Sequence, residues 1–526
     1  MGTDMGMGMG MAPIGAEPQT VRLVRGILMI KPHSYIAQMG LLVSMACFFA
    51  CNVSAGEWRV KSGLNVGEVY TDNVELDDSD KESKFISVVR PTFNLVGKGN
   101  RANVSFISSF EFNNSGSGAD SFSPKISANA DAELFEDVLF IDADLSSNQS
   151  TIDPFSAAGN SQLNKSDNVT TTYDYSISPY IVKHFGQTAD LRLRYTYDDQ
   201  INKGDELSDS VLQSVVATLQ SGRDFSRLTW ALTSDYQDTD YESDESSSGQ
   251  DGSSEQWSNS LTLGYKLNRK FELKGTIGKE WNNYQTFDDD DTDDQFWDVG
   301  VVWTPNKRTT LDAGYGKHFY STTPRFSLSH KTRKTTFSTS YTRSLSDTRS
   351  ERSNPNVFSF SDSLRDQLSE QSQLTDSAID ELEQSVSQAL FLNNNPTFRD
   401  QGVFVSELFE SSFSVKGKRT TTTVYLRESK QIREDVDEDA VFTSTGVRLE
   451  RKLSSKYTLN SRLTWDERKD QDGLTSDRTL WHLSLRRKLG ARTAVSIAYS
   501  YGERDSDRVN DDYKENRVSL NFSIDL

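Results

Sequence analysis

The chain is 526 residues long and carries a formal charge of −20, with 35% hydrophobic residues and a mean hydropathy of −0.61. So acidic and polar a composition supplies too little apolar surface for a conventional large core, and no net positive charge for gripping nucleic acid. Its 8 Trp and 19 Tyr, within 10% aromatic residues overall, exclude the opposite extreme of an acidic disordered chain.

Residues 1–28 ("MGTDMGMGMG…") have no targeting character and are expected to be a dispensable or mis-assigned extension. A signal peptide is expected over 29–55. Lys31 supplies its positive end, Met39 to Cys51 its apolar stretch, and Val53-Ser54-Ala55 the small-residue cleavage site, so that Gly56 begins the mature chain. Phe48-Phe49-Ala50 ahead of Cys51 is a poor lipidation motif. Both cysteines, Cys47 and Cys51, leave with the signal.

Past Gly56 no run approaches the roughly 18 consecutive apolar residues of a membrane helix. Period-two alternation recurs instead: Trp58/Val60/Leu64/Val66, Val104/Phe106/Phe110/Phe112, Ile126/Ala128/Ala130/Ala132/Leu134, Leu139/Ile141/Ala143/Leu145 and Tyr173/Tyr175/Ile177/Ile181. It continues through Ala189/Leu191/Leu193/Tyr195/Tyr197, Trp257/Leu261/Leu263/Tyr265/Leu267 and Trp297/Val299/Val301/Trp303. Tyr457/Leu459/Leu463/Trp465, Trp481/Leu483/Leu485, Val495/Ile497/Tyr499/Tyr501 and the terminal Val518/Leu520/Phe522/Ile524/Leu526 complete the series. Each run covers about 9 to 12 residues, the length with which a tilted strand crosses a bilayer.

The connections alternate as well. Short basic turns, "VGKGNRA" (96–102), "LNRKF" (267–271), "TPNKRT" (304–309), "HKTRKT" (330–335), "VKGKRT" (415–420) and "LGART" (489–493), are interleaved with longer acidic loops. Among the latter are residues 67–83, 238–255, 287–295, 433–440 and 502–515. Long loops at one end and short turns at the other are the pattern of bacterial outer-membrane barrels, with the turns periplasmic and the loops extracellular. The expected fold is therefore all-β: a closed antiparallel transmembrane β-barrel of about 22 strands over 56–526. Its apolar face meets lipid and its polar face lines the interior, which reconciles low hydropathy with membrane insertion. A β-sandwich of so many half-polar strands would lack a core, and a solenoid would show a short fixed repeat that is absent here.

Three stretches carry a resemblance. "WRVKSGLNVGEVYTDNVEL" (Trp58 to Leu76, centred on Tyr70-Thr71-Asp72-Asn73), "VVRPTFNLVGKGNRANVSF" (Val88 to Phe106) and "GKRTTTTVYLRE" (Gly417 to Glu428) resemble outer-membrane proteins associated with PEP-CTERM/exosortase systems and encoded with exopolysaccharide loci. The resemblance runs from about Trp58 to Leu526 through short motifs. It implies a barrel that accompanies exopolysaccharide assembly or export, without catalytic residues. The terminal strand is similar to the signal by which barrel-assembly machinery recognises its clients, with Leu526 where Phe is usual.

The expected inner face holds Arg192, Arg194, Arg427, Arg448, Arg462, Arg486 and Arg517, beside Thr458, Asn460, His482, Ser484 and Asn521. These are either a generic hydrated wall or an arginine track for an anionic polymer, whose carboxylates a guanidinium pairs in bidentate geometry. The loop holding Asp288, Asp290, Asp291 and Asp293 offers hard oxygen ligands for calcium, but lacks the Gly-centred spacing of a dedicated calcium loop; a solvated acidic loop is the alternative. The longest interruption, 344–401, contains helical spacing over Ser363 to Leu392 (Leu364/Leu368, Ile379/Leu382/Val386/Leu390), read either as a plug or as a surface docking helix pair.

No enzyme is expected. Of the four histidines after the signal, His184, His318, His330 and His482, two fall at short turns, away from the outer rim where barrel hydrolases place their triads. No cofactor motif is present, and no metal-spaced His or Cys cluster. The first strand begins almost at Gly56, which leaves the expected mature chain without an amino-terminal plug domain of the siderophore-receptor kind. The expected function is a passive conduit or scaffold in exopolysaccharide export, against a porin for small solutes or a structural anchor. Expected partners are outer-membrane lipids, the polymer with its export machinery, and the barrel-assembly machinery through the terminal strand.

Overall fold

The computed structural model describes residues 56–526 except 115–121, 159–162, 165, 167, 205, 243–252, 285–291, 354–395, 399–401 and 435. The extension and signal peptide lie outside the described residues, as does the expected helical segment Ser363 to Leu392. The strands are β1 (Glu57–Thr71), β2 (Lys84–Lys98), β3 (Ala102–Asn113), β4 (Phe122–Phe135), β5 (Leu139–Thr151), β6 (Val169–Phe185), β7 (Ala189–Asn202) and β8 (Ser210–Ser221). They continue with β9 (Leu228–Tyr241), β10 (Ser254–Lys266), β11 (Phe271–Asn283), β12 (Asp294–Asn306), β13 (Thr309–Lys317), β14 (Arg325–Lys331), β15 (Thr335–Asp347) and β16 (Val403–Lys416). The last six are β17 (Thr420–Arg433), β18 (Asp439–Lys452), β19 (Tyr457–Lys469), β20 (Thr475–Lys488), β21 (Thr493–Ser506) and β22 (Tyr513–Asp525).

Each strand pairs antiparallel with its sequence neighbours, and β22 pairs with β1 from Arg517↔Thr71 to Asp525↔Gly63, so the 22-stranded sheet closes on itself. Closure removes the edges that would otherwise expose unpaired backbone groups to lipid.

The turns show how the sequence sets the register. At one end every connection is short, from 307–308 to 222–227. Asn268 accepts the backbone N–H groups of Lys270 and Phe271, Thr332 those of Lys334 and Thr335, and Ser454 those of Lys456 and Tyr457. A short polar side chain at the head of each turn thus satisfies donors that the ladder leaves free. Two three-residue turns instead use the left-handed region, at Asp137 (φ 55°) and Gly186 (φ 64°), residue types that tolerate it.

The cross-strand registers place the alternating apolar residues on the outside. Val424, Val447, Leu463 and Trp481 form one exposed row, and Val66, Val89 and Phe112 another. Aromatic pairs sit at both rims: Trp257 with Trp281 toward the loops, Phe271 with Trp303 toward the turns. These are the lipid-facing band and the interfacial girdles of an outer-membrane barrel.

Two details differ from the sequence reading. The interruption expected to start at Ser344 starts at Thr348, because β15 continues to Asp347 in register with Val403. The helix described in that loop is α1 (Thr348–Ser353), capped by Asp347, whose carboxylate accepts the Ser350 N–H at 2.8 Å.

Candidate functional site: the arginine wall of the lumen

The inward side chains are polar, and their crowding is uneven. Toward the turns, Asn103, Asn129, Asp131, Arg192 and Lys452 are exposed to an open lumen. Toward the loops, Thr71, Gln200, Asn202, Gln431, Asp470, Arg504 and Glu515 are buried. What buries them is the chain's own loops, which cross the lumen from opposite directions.

The first crossing strap comes from the β5–β6 loop, of which residues 152–158, 163, 164, 166 and 168 are described. Asn168 ties its base, donating to the carbonyls of Asp153 (2.8 Å) and Ser156 (3.1 Å). Its body reaches the wall made by β18 to β22 and β1 to β2. Leu163 enters an apolar patch of Val69, Val74, Ile86 and Val88, and Phe155 stacks on Phe442 with ring centroids 5.7 Å apart. Arg468 donates to the Pro154 carbonyl, Arg504 to the Phe155 carbonyl (2.5 Å), and Arg517 to Asn164 Oδ1 (2.7 Å). The Ala157 N–H donates to Asp511 at 2.5 Å.

The second crossing comes from the β15–β16 loop. From α1, Arg349 reaches the far wall, pairing with Asp198 on β7 and donating to Ser210 Oγ on β8 at 3.0 Å. Arg352 donates to the Phe398 carbonyl at 2.9 Å, and Phe398 packs with Phe404, Ala440 and Phe442. Pro154 of the first strap and Arg352, Pro396 and Thr397 of the second line one small space, where the two meet.

Below the first strap lies a cavity of about 270 Å³. Its wall is the continuous row Arg448–Arg462–His482–Ser500–Arg517, each residue directly opposite the next across β18 to β22, with Arg486 four positions along β20 from His482. Arg90 and Lys125 face it from β2 and β4. Arg90 is paired with Glu111 (2.6 Å) and Arg517 with Glu515 (2.7 Å). Arg448, Arg462 and Arg486 form no ion pair with a described carboxylate, and the Nε atoms of Arg462 and Arg486 are buried without an acceptor. Thr458, Asn460, Ser484 and Asn521 share this inner face.

The seven arginines expected in the lumen all face inward but do not form one track. Arg192 and Arg194 lie over the Tyr180 ring at 4.4 and 4.3 Å, Arg194 also bound to Asp142, on β7 away from the others. Arg427 is paired with Glu410 at 3.3 Å. Sequence reasoning missed Arg433, Arg468, Arg478 and Arg504 on the same wall. It also missed the strap, whose one legible signal was the group of large apolar residues Ile152, Phe155 and Leu163 in a loop otherwise small and polar.

Asp288, Asp290 and Asp291 lie outside the described residues; Asp293 is exposed and accepts the Asn282 N–H at 2.9 Å. Among the described residues no group of three His, Cys, Asp or Glu side chains is arranged to hold a metal. The four histidines sit apart: His184 with Asp190 near the β6–β7 turn, His330 with Thr309 near the β14–β15 turn, His318 with Glu280, and His482 on the arginine row with Ser500.

The class defined by this fold is the outer-membrane β-barrel. No family model and no curated protein matches the chain. Solved structures are similar in fold alone. The siderophore receptor PirA from Pseudomonas aeruginosa is 12% identical, with a TM-score of 0.47 over 89% of this chain and 80% of that one. PirA from Acinetobacter baumannii is 9% identical, with a TM-score of 0.48 over 88% and 80%. The FrpB iron transporter from Neisseria meningitidis is 11% identical, with a TM-score of 0.47 over 88% and 82%.

Proposed function

We propose that the barrel is a passive conduit or scaffold in exopolysaccharide assembly or export, with its acidic loops outside the cell and its short basic turns in the periplasm. The observation that carries this reading is the group Arg448, Arg462 and Arg486, three lumen guanidiniums that form no ion pair with a described carboxylate, in a chain whose overall charge is −20. A wall on which cations outnumber carboxylates, inside an acidic protein, is suited to an anionic chain, because guanidinium–carboxylate hydrogen bonds are charge-assisted and bidentate. The resemblance to proteins of exopolysaccharide loci supports the same cargo. The exposed row Val518, Leu520 and Phe522 of β22 is the surface proposed for the barrel-assembly machinery.

A porin for small solutes is the second reading, favoured by the two straps that narrow the loop end. Deleting the gene and restoring it with wild type or with Arg462→Glu plus Arg486→Glu separates the two. An exporter loses extracellular polymer in the deletion and in the double variant. Normal polymer output together with impaired uptake of small solutes would establish the porin instead.

A further inference from the structure

We propose that the outer face of β8 to β11 carries a groove for one phosphate-bearing membrane lipid of the leaflet on the loop side. Lys279 and Lys317 hold its phosphate, and one acyl chain lies in the groove. This site is independent of what passes through the lumen.

The cross-strand register builds the groove. Tyr236, Trp257 and Trp281 stand directly opposite one another and form its wall toward the loops. Leu219, Leu232, Leu261 and Ile277 form the wall toward the turns. Between them run the shorter side chains Ala217, Ser234 and Asn259, each opposite the next, and the row ends at Lys279. The hollow they enclose is about 710 Å³ and belongs to the lipid-facing side, where Leu232, Ile277 and Trp297 are exposed.

Its course fits a lipid. Ala217 lies four residues from the turn end of its strand, Ser234 six, Asn259 seven and Lys279 eight, so the row descends from the loop-end rim toward mid-wall. From Lys279 to Ala217 it crosses three strand spacings, ~14 Å, the scale of an extended acyl chain whose head stays at the rim.

The rim end is cationic. Lys279 lies 5.0 Å from the Trp281 ring centroid and opposite Gln295, and Lys317 stands opposite Trp297, two residues along β12. Both lysines are exposed, and neither forms an ion pair with a described carboxylate. Cations beside the hydrocarbon band are costly without a counter-charge, and the lipid phosphate supplies one at that depth. Asn259, one step below the Trp257 and Trp281 pair, has no hydrogen-bond partner among the described residues. An amide facing lipid is costly until it is bonded, and the ester linkage between head and chain offers it a carbonyl.

Purified barrel in maltoside micelles, titrated with dioleoyl phosphatidylglycerol and read by native mass spectrometry, should hold one lipid. Dioleoylglycerol, with the same chains and no phosphate, should bind about tenfold more weakly. Lys279→Gln with Lys317→Gln should weaken phosphatidylglycerol by a similar factor. Ala217→Phe, which fills the deep end of the groove without changing charge, should weaken it several-fold. Lys183→Gln, at a lipid-facing lysine near the turns, should leave binding unchanged. Heat-modifiable mobility checks that each variant folds, and Ser234→Leu replaces Ala217→Phe if that variant does not. Equal binding of the two lipids, or wild-type binding by the double lysine variant, overturns the phosphate site. Unchanged binding with the groove filled, or displacement of the lipid by inorganic phosphate, overturns the proposal by showing that the acyl chain takes no part.

Discussion

Arg448 on β18 and Arg462 on β19 stand directly opposite one another, both pointing into the lumen, and neither forms an ion pair with a described carboxylate. Like charges facing each other across neighbouring strands destabilise a sheet by several tenths of a kcal/mol. Glu450, two residues along the same face of β18, offsets part of that repulsion, and the proposed conduit role gives the pair an anionic cargo to bind.

The pair therefore trades stability against binding. Arg448→Gln should raise the temperature at which the barrel loses its heat-modifiable gel mobility, in line with relief of about 0.2 to 1 kcal/mol. The same variant should bind polygalacturonate several-fold more weakly by equilibrium dialysis. A variant that gains no thermal resistance would mean that the guanidiniums are already neutralised.

Charge reversal deeper in the wall reads the pore electrically. Arg462→Glu with Arg486→Glu turns two cations lining the cavity into anions, and the reversal potential in planar bilayers under a salt gradient should move toward cation preference. The matching change at Arg192 should have a smaller effect, since that residue lies over Tyr180 on another part of the circumference.

Two apolar anchors, beside its polar contacts with Arg468, Arg504, Arg508, Asp511 and Glu515, hold the first strap, so it can be loosened without touching the sheet. Phe155→Ala and Leu163→Ala should each cost the strap about 2 to 4 kcal/mol while leaving the sheet intact. Single-channel conductance should rise, and protease should cut within 152–158 with the heat-modifiable band unchanged. Unaltered conductance in the double variant would show that the first strap does not limit the passage.

One arginine outside that wall serves structure. Arg325 on β14 bridges Asp298 (2.7 Å) and Asp312 (2.5 Å), lying so close over Gly300 and Gly314 that a Cβ at either would meet its guanidinium within 2.8 Å. It ties the short strands β13 and β14 to β12. Arg325→Ala leaves Asp298 without this ion pair and Asp312 with Lys274 alone (3.5 Å), and should lower thermal resistance by the equivalent of about 1 to 2 kcal/mol, with ion selectivity little changed. Asp298→Asn in the same background, with the Lys274–Asp312 pair intact, should recover part of the loss.

Orientation follows from the loop and turn asymmetry. An epitope inserted at Asp78–Lys81, in the exposed β1–β2 loop, should bind antibody on intact cells, whereas one at Lys416–Lys418, in the β16–β17 turn, should bind only after permeabilisation. The opposite pattern would invert the barrel in the membrane.

The sequence by itself determined the wall. Side-chain period in a strand is two, so Val447/Leu449 and Arg448/Glu450 are committed to opposite faces wherever β18 lies, and a chain that cannot fill a core must give its apolar face to lipid. Strand number, turn chemistry and the inward direction of all seven expected arginines follow from that local rule. Which of those arginines act together does not. Arg448, Arg462 and Arg517 lie on strands with separate alternation patterns, and only the register of β18 to β22 sets them in one row, while Arg192 and Arg194 end up elsewhere. The crossing of the lumen by the described loop residues was likewise decided in three dimensions. Phe155 and Leu163 read as ordinary apolar residues of a loop until Phe442 and Val69, hundreds of residues away in one case, supply inward apolar patches for them. Period-two alternation reports the two faces of a strand; it carries no information on which loop a closed barrel folds inward, because that depends on contacts across the lumen between segments distant in the chain.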